Sequence, residues 1–260
     1  MTMKTLHITL LQTTLHWQNP KANQLHFSNL IQSLQRPTDV IILPEMFTTG
    51  FTMAAATNAE SEPGTSLRWM QQQAEQTEAV ITGSLIIQKQ EQFYNRLYWV
   101  EPSGQFQSYD KKHLFTYADE DRHFTTGNKR LIVDYKGWRI CPLICYDLRF
   151  PVWSRNDVDY DLLIYIANWP ATRSDAWQSL LKARAIENMS YVAGVNRIGT
   201  DGNGHNYVGA SVVYNALGEQ LSSTNNNQSI SETISLNHKD LVVQRQKYGF
   251  LNDRDKFMLS

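Results

Sequence analysis

Three side chains of different chemistry each follow a short run of strand-forming residues. Asp39-Val-Ile-Ile-Leu-Pro leads into Glu45, Gln105-Phe-Gln-Ser-Tyr-Asp into Lys111, and Arg139-Ile-Cys-Pro-Leu-Ile into Cys145. Short apolar runs such as the first and third read as buried strands. In α/β folds the carboxyl ends of strands are where residues from distant segments converge on a ligand. A carboxylate, an amine and a thiol gathered there suit nucleophilic catalysis. A free thiol ionises near pH ~8.5, so attack at neutral pH needs a neighbouring base or cation. Glu45 suits the role of proton acceptor, and Lys111 that of a donor to the oxyanion formed on a carbonyl. Each residue alone also has a plainer reading: Cys145 as a core thiol, Glu45 as a cap, Lys111 as a solvated charge. Cys141, inside its strand, keeps the structural reading. The residues by themselves leave both readings open and name no reaction.

The elements that must position these groups alternate along the chain. Thr5 to Leu11 reads as a strand. Phe27, Leu30, Ile31 and Leu34 recur at helical spacing over Pro20 to Gln35, and Pro37 stops that helix. A second helix is expected over Thr65 to Thr77, opened by Pro63-Gly64, with strands over Ala79 to Gln88, Phe93 to Val100 and Gln105 to Tyr109. The second half repeats the scheme: strands over Leu131 to Tyr135, Arg139 to Ile144 and Asp161 to Ala167, then a helix over Ser174 to Met189. Tyr191 to Asn196, Gly209 to Asn215 and Ile230 to Leu236 complete the strands, and the Asn-rich stretch 225 to 227 reads as a hairpin loop. No linker, low-complexity tract or fixed-period repeat interrupts the pattern, so one mixed α/β domain over 1–260 is expected.

Composition narrows the class. With 24 basic and 25 acidic side chains the net charge is −1, which gives no bulk attraction to nucleic acid or an anionic membrane. Polar residues interrupt any signal-like run near the start, and no stretch approaches a membrane span. Two cysteines, four residues apart, make no disulfide framework, so a cytoplasmic protein with reduced thiols is expected. They also lack the neighbours of a zinc site, and His113 and His123 read as loop residues. Asp201-Gly-Asn-Gly204 reads as a turn rather than a calcium loop.

LPEMFTTGF (43–51), YDKKHLF (109–115) and CYDLRFPVW (145–153) together resemble the three signature segments of the nitrilase superfamily, in its order and at similar spacing. ANWPATR (167–173), KARAIENMSYVAGVNR (182–197) and GASVVYNALGE (209–219) extend the resemblance over nearly the whole chain. It implies a four-layer α-β-β-α sandwich and a Glu-Lys-Cys set that maps to Glu45, Lys111 and Cys145, with Glu120 as a second glutamate. It also implies acyl transfer through a thioester, with no metal and no organic cofactor, and commonly a homodimer whose contacts involve the tail Tyr248 to Phe257. Within the family the segments look closest to the omega-amidase branch, whose substrates are 2-oxoglutaramate and 2-oxosuccinamate. For such a substrate the backbone N–H of Tyr146 is expected at the oxyanion and Arg149 at the far carboxylate, unless Arg149 pairs with Asp147 or Asp157. Phe47, Phe51, Tyr117 and Trp169 are expected to line the pocket. A nitrile hydrolase or N-carbamoyl amidohydrolase would use the same catalytic set. A papain-like thiol enzyme and a non-catalytic binding protein are the readings from other classes.

Overall fold

The computed structural model describes residues 5–223 and 226–257. β1 (Thr5–Gln12) leads to α1 (Pro20–Gln32), where the Asn19 side chain caps the Ala22 amide and Pro20 occupies the first turn. Next come β2 (Val40–Ile42), α2 (Ala55–Asn58), the two-residue β3 (Glu60–Ser61) and α3 (Thr65–Thr77). β4 (Val80–Lys89), β5 (Gln92–Val100) and β6 (Phe106–Asp110) follow, then the short α4 (Glu120–His123). The second half runs β7 (Val133–Tyr135), β8 (Trp138–Ile144), α5 (Pro151–Ser154), β9 (Leu162–Ala167), α6 (Ser174–Asn188) and β10 (Tyr191–Asn196). A separate hairpin, β11 (Ile198–Thr200) with β12 (Asn206–Val208), precedes β13 (Val212–Tyr214), β14 (Ile230–Asn237) and α7 (His238–Tyr248).

One sheet has the order β14-β1-β2-β4-β5-β6, with β3 on β4; the other is β13-β10-β9-β8-β7. β1, β2 and β4 run parallel, and β5 is antiparallel to both β4 and β6, so β6 points the same way as β2. β8, β9 and β10 are likewise parallel. Side-chain alternation then builds the layers. Leu6, Ile8, Leu10, Leu97 and Trp99 face a core shared with Ile140, Leu162, Ile164 and Ile166 of the second sheet. Their neighbours Leu11, Ile41, Ile81, Tyr98 and Val100 pack outward against Phe27 and Ile31 of α1 and Leu67, Met70 and Ala74 of α3. On the other side α6 lays Trp177, Leu181 and Ala185 on the second sheet. The approach is close enough that a Cβ at Gly194 of β10 would lie 2.4 Å from Leu181 Cδ1. The architecture is the expected α-β-β-α sandwich.

Local differences have local causes. α1 ends at Gln32 because the Ser33 amide turns back onto the carbonyls of Asn29, Leu30 and Ile31. The regular part of the second strand stops at Ile42, two residues before Pro44, which has no N–H for the ladder. α7 buries only Leu241, and so left no apolar stripe in the sequence. Asn225 and the first four residues lie outside the described residues; Asn227 has the left-handed φ of 60° expected of that loop.

Candidate active site

Glu45, Lys111 and Cys145 meet where the carboxyl ends of β2, β6 and β8 face one another across the sandwich. The chain leaves β8 at Cys145 with φ 42° and turns at once into a 3-10 helix, Cys145–Arg149. A non-glycine residue in this region is strained, and such strain persists only where the surroundings impose it. Lys111 Nζ lies 2.9 Å from Glu45 Oε1 and donates to both oxygens of Glu120, at 3.0 and 2.9 Å. The Cys145 thiol sits close enough to feel the charges of Glu45, Lys111 and Glu120. Lys111 and both glutamates are almost wholly buried, whereas Cys145 is partly exposed on the cavity.

Neighbours that the sequence reading did not select hold the carboxylates. Asn95 Nδ2 donates to Glu45 Oε1 at 2.8 Å and reaches Glu120 Oε1 at 3.4 Å. The Asn168 amide donates to Glu45 Oε2 at 2.8 Å while its carboxamide holds the Glu45 carbonyl at 2.6 Å. The Phe115 amide donates to Glu120 Oε2 at 2.6 Å. A signal for Asn95 was available: an asparagine within a strand that is otherwise apolar toward its end is a polar group in need of a partner.

The electrostatics follow from burial and these contacts. Burial alone would lower the Lys111 ammonium, but Glu120 and Glu45 outweigh it and hold the amine above its ordinary value. Burial raises Glu120, with Glu45 adding to the shift and Lys111 opposing it. Burial also pushes the Cys145 thiol well up, reinforced by the Glu45 carboxylate and opposed by Lys111. The resting sulfur therefore keeps its proton, with the Glu45 carboxylate near enough to receive that proton on attack.

The thiol and Lys111 open on a cavity of about 240 Å³. Of the expected lining, Phe51, Tyr117, Tyr146, Arg149 and Trp169 are there, and Tyr117 stands largely exposed at its mouth. Phe47 is not among them, and that expectation is corrected. Met46 takes a φ of 44°, and Phe47 is fully buried beneath the outer helices, edge-on to Phe27 at 5.6 Å and 5.5 Å from the Trp69 ring. Arg149 pairs with neither suggested acid. Asp147 receives the hydroxyl of Tyr109, the amides of Ile144 and His113 and a His113 ring nitrogen, and Asp157 pairs with Arg130. The Arg149 guanidinium lies instead over Trp169, 4.9 Å from the ring centroid. The β11–β12 hairpin adds Asn203, His205 and Tyr207 to the wall. Its Asp201 folds a turn, accepting the amides of Asn203 and His205 and the Tyr207 hydroxyl.

A carbon-nitrogen hydrolase family model matches residues 7–238. The chain is 48% identical over 257 residues to "Omega-amidase YafV" of Yersinia enterocolitica, covering 99% of this chain and all of that one. It is 32% identical over 219 residues to "2-oxoglutaramate amidase" of Bacillus subtilis, covering 82% of this chain and 84% of the relative. Among solved structures, the XC1258 protein of Xanthomonas campestris is a CN-hydrolase superfamily protein with an arsenic adduct in its active site. It superposes with a TM-score of 0.96 at 41% identity, over 99% of this chain and 100% of that one. With its sandwich, its three signature segments and these matches, the chain belongs to the carbon-nitrogen hydrolase family of the nitrilase superfamily.

Proposed function

We propose that this protein is a cysteine omega-amidase that releases ammonia from small amides carrying a carboxylate at the far end, 2-oxoglutaramate and 2-oxosuccinamate among them. The observation that carries the reading is the partly exposed thiol of Cys145 within electrostatic reach of Glu45, whose carboxylate pairs with Lys111, itself paired with Glu120. Similarity to relatives called omega-amidase and 2-oxoglutaramate amidase supports the choice of amide over nitrile or carbamoyl substrates.

In this mechanism Glu45 takes the Cys145 proton as sulfur attacks the amide carbon. The oxyanion is held by Lys111 Nζ and by the Tyr146 N–H, which lies in the first turn of the 3-10 helix and has no intrahelical acceptor. Glu45 returns the proton to nitrogen, the C–N bond breaks, and ammonia leaves a thioester. Glu45 then deprotonates a water that attacks the thioester carbon; the C–S bond breaks, the acid departs, and sulfur regains a proton. Glu120 holds the Lys111 ammonium in place. Thiol and general base supply the reactivity, and no step calls on a metal or organic cofactor. Arg149 receives the far carboxylate while Phe51, Tyr117 and Trp169 enclose the carbon chain.

We read 1–260 as one catalytic domain, acting in the cytoplasm, where the two free thiols stay reduced, and assembled as a homodimer. Exposed Val243, Tyr248 and Phe250 near the chain's end offer apolar surface for a second copy. Among the described residues no helix is long and apolar enough to cross a membrane. An ammonia-release assay over keto-acid amides, glutamine, nitriles and carbamoyl amino acids tests the substrate. Turnover of keto-acid amides that disappears in Cys145→Ala is expected; turnover retained in that variant removes the assignment.

A further inference from the structure

The catalytic cavity holds a second guanidinium that no step above employs. Arg173 closes the short 3-10 turn Ala171–Arg173 between β9 and α6, and its guanidinium lies 5.3 Å from the Phe115 ring centroid. Arg149 occupies the matching position on Trp169. Both are half-buried on the cavity wall, and among the described residues neither makes an ion pair. Among the described residues, the lining contains no aspartate or glutamate. Lys111, the other cation of the lining, is already engaged by Glu45 and Glu120. Two unneutralised guanidiniums on the wall of one partly enclosed cavity offer a binding site for an anion, and their flat forks suit a carboxylate.

Their supports relate this site to the reacting end. Phe115, under Arg173, donates its amide to Glu120. Trp169, under Arg149, follows Asn168, whose amide holds Glu45, and the Trp169 indole N–H donates to the Arg173 carbonyl at 2.7 Å. Each arginine thus rests on a ring whose own backbone, or that of the residue before it, fixes one of the two glutamates. The span from the anion site to the nucleophile is set by the packed core rather than by mobile side chains.

We propose that Arg149 and Arg173 together form one two-sided grip for the substrate's far carboxylate, with Arg173 as a specificity-determining residue. The grip rests on the amidase reading and deepens it: the preferred amides are anionic, with a fixed number of carbons between amide and carboxylate. A cavity of about 240 Å³ suits a metabolite smaller than the drug-sized ligands of ~300–1,000 Å³ pockets.

The test compares glutaramate, the monoamide of glutaric acid, with the neutral pentanamide in wild type, Arg173→Gln and Arg173→Lys. Losing one charge-assisted contact lowers the anionic-to-neutral ratio of kcat/KM in Arg173→Gln by ~10–100-fold, through KM rather than kcat, and Arg173→Lys recovers part of it. Calorimetric binding of glutarate, which needs no turnover, weakens by a similar factor in Arg173→Gln. An unchanged ratio with unchanged glutarate affinity overturns the grip while leaving the amidase standing. A wild type that binds glutarate, loses that affinity in Arg173→Gln and yet releases ammonia from no amide keeps the grip and removes the amidase reading. If Arg173→Gln fails to fold, the same two readouts in Arg173→Lys and Arg173→Met decide, since both keep the packing of the stem on Phe115.

Discussion

The chemistry at Cys145 rests on a thiol that burial and a carboxylate discourage from ionising. Its thiolate fraction grows as pH rises, so iodoacetamide alkylation of Cys145 follows a profile whose midpoint lies above the ~8.5 of a free cysteine. Glu45→Gln removes one of the groups that push the thiol up. The alkylation midpoint then moves down, toward easier ionisation, while ammonia release falls by ~10²–10⁴-fold with loss of the general base. A midpoint that moves up in Glu45→Gln contradicts the assigned direction. Lys111→Met acts oppositely on the thiol, because it removes the opposing cation and leaves two buried carboxylates unpaired. A loss of ~3–5 kcal/mol in denaturant stability is expected. At this scale the sequence was informative wherever a reactive side chain ended a strand. Phe47 shows the limit: it lies with Ile41 and Leu43 under the outer helices although Glu45, two residues before it, reaches the site, and residue types do not register which of the two turns inward.

Among the elements, Asp147 joins the segment that follows β6 to the turn that follows β8. Its carboxylate accepts Tyr109 Oη at 2.7 Å, the His113 amide at 3.0 Å, His113 Nδ1 at 2.8 Å and the Ile144 amide at 3.1 Å. Replacement by alanine strands buried donors at ~1–3 kcal/mol each and releases Lys111 and Cys145 from their mutual spacing. Asp147→Ala is therefore expected to lose stability in a urea titration and to lose kcat more than KM. A second test concerns packing. Gly194→Ala forces a methyl into Leu181 and Trp177, and overpacking of this kind costs ~1–3 kcal/mol, measurable as a lower denaturation midpoint. α3 was readable from the Pro63-Gly64 that opens it, and α6 from the apolar face carrying Trp177, Leu181 and Ala185. The β11–β12 hairpin was not: Ile198 to Val208 carries no extended apolar alternation, and its place depends on contacts with distant segments, such as the Ile198 amide with the Thr13 carbonyl at 3.0 Å.

For the molecule as a whole, the two sheets hold together through interdigitated side chains, with Trp99 of β5 set 5.8 Å from the Tyr135 ring of β7. Trp99→Ala opens a void in the sandwich and is expected to cost ~3–5 kcal/mol in a denaturant titration, although the residue lies outside the catalytic cluster. A mixed α/β domain was legible because its buried strands need cover on each face, whereas the four-layer arrangement followed from the resemblance of the signature segments.

Glu45 and Lys111 follow strands of one sheet and Cys145 a strand of the other, so the reactive constellation straddles a seam between two slabs that side-chain packing, and no strand ladder, holds together. A displacement of an ångström there leaves every strand hydrogen bond intact yet separates sulfur from its base. Turnover should accordingly fade at a lower denaturant concentration than far-ultraviolet dichroism, making enzymatic rate a gauge of how faithfully the two slabs are registered.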